Sequence, residues 1–308
     1  MATPAIEAMG LSDAANRFTF VGSYVAIEAL KHHPQCEHAY VDETKQQGNR
    51  LLNTYRFAKR LGKHDIAISF RNQIHANLLM LWSKTPKRIV RASRHAFFLA
   101  TASVPLNRRE HLVLQYHELA MHAMSELPQP GPLRLYIDAF QSNRALLGVN
   151  PGATYGSAKR WYPEKFAEAA AAFASDFDIV IFGGPNEVEM AQEIERHLKR
   201  LHRNNVLNLA GTTSIESLCA HIGSLSLFIT NDSGPMHIAA AYHVPTVAIF
   251  GPTRHKETSQ WMNPKGVIVR HEMECAPCMK RECPLKHHEC MRSITSHEVI
   301  EAAAALIN

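Results

Sequence analysis

Short apolar runs recur along the second half of the chain, separated by segments of helical period. Residues 145–149, 179–182, 225–230, 246–250 and 267–269 each read as strands, mostly apolar along their length as a strand covered on both faces is. The first half repeats the scheme more loosely, with strands expected at 18–21 and 65–70 and helices at 46–61 and 110–124. Such alternation predicts parallel sheets covered by helices. Between the halves, Pro128-Gln129-Pro130-Gly131-Pro132 cannot continue a helix and makes a natural linker. Two α/β domains are therefore expected, at 1–127 and 145–308, joined by a linker at 128–144. No short internal repeat or low-complexity tract argues for a solenoid or a disordered chain.

Composition narrows this picture only a little. With 308 residues, 46% of them hydrophobic and 20% charged, the chain can bury a large core. A formal net charge of +5 favours anionic partners but is too mild to argue for nucleic acid, and none is expected. No apolar run reaches the roughly eighteen residues of a membrane-spanning helix, and MATPAIEAMG lacks the build of a signal peptide, so a cytoplasmic protein is expected. Of six cysteines, Cys36 and Cys219 stand alone while Cys275, Cys278, Cys283 and Cys290 crowd together, unlike the framework of a secreted disulfide protein.

Candidate chemistry lies at the strand ends, where open α/β sheets bind ligands. Four predicted strands are followed by small polar loops: Asn150-Pro151-Gly152-Ala153-Thr154, Gly183-Gly184-Pro185-Asn186-Glu187, Thr230-Asn231-Asp232-Ser233-Gly234 and Gly251-Pro252-Thr253. One such loop is ordinary turn chemistry; four together suit a nucleotide or nucleotide sugar. Ser233-Gly234-Pro235 would open a helix whose first N–H groups are free to hold a phosphate, with Asp232 either at the site or capping that helix. His237, one turn in, faces either ligand or core. Lys159, in the loop Tyr155-Gly156-Ser157-Ala158-Lys159-Arg160-Trp161, is suited to neutralise a departing diphosphate; the alternative is a solvated basic loop.

NPGATYGSAKRW, TNDSGPMHIAAA and IFGPT, in this order, resemble glycosyltransferase family nine, the bacterial heptosyltransferases, and CAPCMKRECPLKHHECM resembles the C-terminal signature of the family's heptosyltransferase II branch. The resemblance implies a GT-B fold, two Rossmann-like domains facing a cleft, with ADP-heptose held by the C-terminal domain and the lipopolysaccharide inner-core acceptor by the N-terminal one. It implies a single displacement with inversion, onto the first heptose of the core, without metal or other cofactor. Carried over by motif, Lys159 would bind phosphate, Asp232, Ser233, Gly234 and His237 the donor sugar and diphosphate, and Thr154 and Glu187 the nucleotide. Lys159 and Asp232 are the residues expected to carry catalysis.

The sequence departs from the family pattern at its start. Family members begin with an apolar strand and a loop ending in Gly-Asp, whose aspartate is the expected general base, before a helix that reads much like MATPAIEAM. Here the first strand and the base are missing, and Asp13, in GLSDAANRF, belongs to the link after that helix. The expectation is that Met1 is an internal methionine, and that a chain starting there is poorly stable and nearly inactive. A catalytically dead nucleotide-sugar-binding protein is the alternative if Met1 is the true start; a family-nine enzyme with another nucleotide sugar or acceptor is a further one. The spacing of Cys275, Cys278, Cys283 and Cys290, with His287 and His288 alongside, admits tetrahedral zinc, a reduced structural cluster or a redox-labile pair, the metal-free segment being the favoured reading. Lys84, Lys87, Arg88, Arg91 and Arg94 either meet the acceptor or the anionic leaflet of the inner membrane, as a peripheral contact, or form a solvated face.

Overall fold

The computed structural model describes residues 1–307 apart from Gln47, His95, Leu106, Arg108 and Ser125. Two compact units result, Met1–Gly131 and Pro132–Asn308. Of the residues expected as linker, Ile137 is buried in the second unit with Cys219 and Ala220, and the Tyr242 hydroxyl donates to its carbonyl at 2.6 Å.

The first unit begins with a helix at Thr3–Ser12, carrying Pro4 in its first turn where no N–H is needed. Its strands are β1 (Phe18–Gly22), β2 (Cys36–Val41), β3 (Ile66–Ser69), β4 (Lys87–Arg91) and β5 (Ala102–Val104). They form two parallel sheets, β1-β2 and β3-β4-β5, and among the described residues no strand pairs β1 with β3. Ala5, Ile6 and Met9 of the first helix pack with Phe18 and Phe20 of β1 and with Ile68 and Phe70 at β3, so one apolar cluster spans both sheets.

The helix expected at 46–61 runs from Arg50 to Leu61, because the Asn49 side chain accepts the N–H groups of Leu51 and Leu52 and fixes the start there. Gln47 lies outside the described residues. It ends at Gly62, whose φ of +72° is left-handed. The basic stretch around Lys87 is the strand β4, and much of its charge is engaged inside the unit: Lys87 donates to the Ala123 carbonyl at 2.6 Å and Arg88 to those of Leu99 and Thr85. The Arg91 guanidinium stacks 4.9 Å from the Tyr116 ring centroid.

The second unit is one six-stranded parallel sheet: β6 (Leu146–Asn150), β7 (Asp178–Ile181), β8 (Val206–Asn208), β9 (Leu227–Asn231), β10 (Thr246–Ile249) and β11 (Gly266–Val269), in the order β11-β10-β9-β6-β7-β8. Leu147, Val149, Ile181, Leu227, Ile229, Val247 and Ile249 pack on one face and Val180, Phe182 and Phe228 on the other, which is why these strands read as continuous apolar runs. Gly148 is required by this packing, since a Cβ there would stand 2.4 Å from Leu225 Cδ1. The chain moves outward from β6 through β7 to β8, then returns to the other side of β6 with β9. That reversal makes the carboxyl ends of β6 and β9 the topological switch point, where open sheets of this kind bind ligands.

Candidate functional site

The four polar loops singled out in the sequence follow β6, β7, β9 and β10, which are contiguous in the sheet. Strand-end side chains tie the loops together. The Asn150 amide donates to Ser233 Oγ at 3.1 Å and to Thr230 Oγ1 at 3.3 Å, joining the β6 and β9 ends. Asn231 donates to the Pro151 carbonyl at 2.7 Å and accepts the Trp161 N–H at 3.1 Å, which draws the lysine loop over the end of β9. Buried amides are stable only when so satisfied.

Lys159 closes a single 3-10 turn, Ser157–Lys159, and its ammonium stands 2.6 Å from Asp232 Oδ2 and 3.1 Å from the Asp232 carbonyl. Its side chain is 12% exposed and that of Asp232 5%. Thr253, in the loop after β10, donates its hydroxyl to the same carboxylate oxygen at 2.5 Å. Asp232 is thus an ion-pair partner at the β9 end, and its carboxylate does not cap the following helix. Ser233 holds the N-cap position of that helix, Gly234–Ala241, without a side-chain cap bond, and Pro235 sits in its first turn. A Cβ on Gly234 would meet no atom of a neighbouring element within 4 Å, and with no side-chain cap bond at Ser233 the first N–H groups of the helix are left uncapped by that residue. Met236, Ala239 and Ala240 form the core face of the helix, and His237 is half-buried beside them.

The remaining expected residues divide. Glu187 accepts the Gly184 N–H at 2.8 Å and lies against Gly152, where a Cβ would come within 2.0 Å of its carboxylate, so it joins the β6 and β7 loops. Thr154 is exposed in the turn after β6. Lys159, Asp232, Ser233 and the start of the Gly234 helix come together, with Thr253, Asn150 and Asn231 added by the fold. The signal for Asn150 and Asn231 was their position directly after an apolar run, and for Thr253 its place in the short polar loop that follows one.

Cys275, Cys278, Cys283 and Cys290, all free thiols, line one small cavity of about 40 Å³ together with Ala158, Pro252, His287 and His288. Among the described residues no three His, Cys, Asp or Glu side chains converge as metal ligands. Burial and the three neighbouring thiols push the Cys290 thiol up to about 11. Desolvation would also raise Cys283, but the N–H groups of residues 285–288 point at its sulfur and bring it below the ordinary thiol value.

The family model for glycosyltransferase family 9 (heptosyltransferase) matches residues 54–289. A lipooligosaccharide heptosyltransferase 2 of Campylobacter jejuni is 36% identical over 100% of this chain and 94% of its own length. Among solved structures, the E. coli ADP-heptose lps heptosyltransferase II superposes with a TM-score of 0.80 at 22% identity, over 99% of this chain and 94% of that one. An E. coli heptosyltransferase solved with ADP superposes with a TM-score of 0.79 at 14% identity, over 99% of this chain and 95% of that one. Strand ends, loop sequence and overall superposition agree: the fold is that of the GT-B heptosyltransferases, and the chain belongs to glycosyltransferase family 9, the heptosyltransferases.

Proposed function

We propose that this glycosyltransferase moves L-glycero-D-manno-heptose from ADP-heptose onto the first heptose of the lipopolysaccharide inner core, with inversion. The observation that carries the reading is the Lys159–Asp232 pair, held at the switch point between β6 and β9 beside the start of the Gly234–Ala241 helix, whose N-cap Ser233 makes no side-chain cap bond. The names of the relatives supply the sugar, the nucleotide and the lipopolysaccharide acceptor.

In the displacement an acceptor hydroxyl oxygen bonds to the anomeric carbon as the bond from that carbon to the β-phosphate oxygen breaks. The bonding pair leaves with ADP, the hydroxyl proton would pass to the loop aspartate that the family resemblance places ahead of the first helix and that these 308 residues do not include, and negative charge grows on the departing diphosphate. Lys159 meets that charge directly, and the N–H groups of residues 233–235, where each has one, add the partial positive charge of a helix start. Pro235 contributes none, so Ser233 and Gly234 are the donors. Asp232 keeps the ammonium at the strand end before the donor arrives, so that little reorganisation is needed on binding. His237 is assigned to the donor sugar and diphosphate, and Thr154 and Glu187 to the nucleotide. Metal is not required for this step, since fixed cations and N–H dipoles do its work.

Among the described residues no helix is long and apolar enough to cross a membrane. The acceptor is lipid-linked, so we place the enzyme at the cytoplasmic face of the inner membrane as a peripheral visitor. Incubation of the protein, made with the family's apolar strand and Gly-Asp loop ahead of the Thr3–Ser12 helix, with a panel of ADP-, UDP- and GDP-sugars tests the donor: turnover is expected with ADP-heptose, and turnover with a different nucleotide sugar but none with ADP-heptose would overturn the reading.

A further inference from the structure

The segment from Cys275 to Cys290 is the one sequence motif that the transfer chemistry leaves unused, yet it packs against the loop that carries Lys159. Both backbone polar groups of Ala158, the residue before the lysine, are taken by it. The Ala158 N–H donates to the Arg281 carbonyl at 3.0 Å, and the Ala158 carbonyl accepts from His288 Nε2 at 3.0 Å. Tyr155, three residues earlier, donates its hydroxyl to the Met279 carbonyl at 2.7 Å. Gly156 meets the segment backbone to backbone, for a Cβ there would stand 2.2 Å from the Arg281 oxygen.

His288 is itself held from two sides. Its backbone N–H points at Cys283 Sγ, 3.4 Å away, which fixes a left-handed residue with φ of +53°. The Tyr162 hydroxyl donates to its Nδ1 at 3.1 Å, leaving the proton on Nε2, where Ala158 needs a donor.

We infer that His288 is a positioning residue for the donor site: through Ala158 it holds the Ser157–Lys159 turn so that the Lys159 ammonium reaches the end of β9 and the leaving diphosphate. This rests on the assignment of Lys159 to that diphosphate. The cysteine segment is then a buttress of the nucleotide site, with the Cys283 sulfur holding the backbone of the histidine that does the positioning.

A double-mutant cycle on ADP binding, read with KM for ADP-heptose and kcat, tests it. His288→Asn suits the left-handed backbone but removes the imidazole. It is expected to weaken ADP binding about tenfold, close to 1.4 kcal/mol, to raise KM for the donor and to leave Tm nearly unchanged. His288→Gln, which restores an N–H at the same reach, is expected to bind ADP within about threefold of the parent, because one net hydrogen bond is worth only about 1 kcal/mol. In a Lys159→Met background, His288→Asn should cost nothing further. An equal loss in both backgrounds would make His288 merely structural and overturn the inference, as would unchanged binding in His288→Asn when Lys159→Met is impaired. If Lys159→Met itself binds ADP like the parent, the assignment of Lys159 falls first and this inference with it. Should His288→Asn prove too unstable to assay, Tyr162→Phe carries the same cycle, with an expected loss of about threefold that again vanishes in the Lys159→Met background.

Discussion

An ammonium and a carboxylate 2.6 Å apart and almost out of water are stable only when each finds further partners, and here Thr253 and the Asp232 carbonyl provide them. The arrangement places a positive charge at the strand end without leaving it to drift. Replacing Lys159 with Met is expected to lower kcat/KM for ADP-heptose by about 10²-fold or more, measured by steady-state kinetics, while a variant as active as the parent would remove Lys159 from the site. Asp232→Asn is expected to cost on the order of 3 kcal/mol of stability, because the ammonium then lies mostly buried without a counter-charge; urea unfolding of the purified variant gives the value, and an unchanged midpoint would show the pair to be energetically idle. Lys159, Asp232 and the Ser233-Gly234 helix start were legible in the sequence because chain order alone puts them after strands. Thr253, Asn150 and Asn231 were legible only as loop positions. Their bonds join residues 21 to 83 positions apart, and nothing in local sequence says which of two neighbouring strand ends a side chain will reach.

Elements were readable in proportion to how fully they are covered. The strands β6, β7, β9 and β10 sit inside the sheet of the second unit and show as apolar runs, as does the edge strand β11, which carries Val267, Ile268 and Val269; β8, the other edge, is only Val206-Leu207-Asn208 and does not. In the first unit β4 carries Lys87, Arg88 and Arg91 around its two buried residues, so its charge concealed the strand. The helix Ser296–Ile307 shows how a helix end is fixed by side chains. Thr295 Oγ1 accepts the Glu298 N–H at 3.2 Å, and Glu298 Oε2 accepts the Thr295 N–H at 2.8 Å, a reciprocal capping box. His271 adds a contact to the other carboxylate oxygen at 2.8 Å. The Thr295 N–H first, then His271, hold the Glu298 carboxyl at about 2, below its ordinary 4.5. A carboxylate depressed in the folded state stabilises the fold fully above its unfolded value, and that contribution is lost as pH falls from about 4.5 towards 2. Glu298→Gln is accordingly expected to lower stability by about 1 kcal/mol at neutral pH, with the difference from the parent shrinking across that acid window. Thermal unfolding at pH 7 and pH 3 checks it, and a gap that grows on acidification would contradict it.

At the scale of the whole molecule, two α/β units are what the alternation of strands and helices predicts, and superposition on the heptosyltransferase II structure over 99% of the chain agrees. What periodicity could not convey is that the first unit holds its strands as two separate sheets, β1-β2 and β3-β4-β5, under one shared apolar cluster. Nor could it convey that the cysteine segment, read as a metal candidate or a packed stretch, lies against the lysine loop. Sugar and acceptor are the properties least visible in side chains, since the role proposed for the ion pair and the helix start is towards a diphosphate, whatever sugar it carries. They are settled by transfer itself: the protein, made with the family's apolar strand and Gly-Asp loop ahead of the Thr3–Ser12 helix, is given ADP-heptose and an inner-core acceptor that already carries one heptose, and the product is followed by mass and by the configuration at the new linkage. One added heptose, with ADP released and the anomeric configuration inverted, is the predicted result. An acceptor left unchanged while ADP-heptose is consumed, or a product with retained configuration, would contradict it.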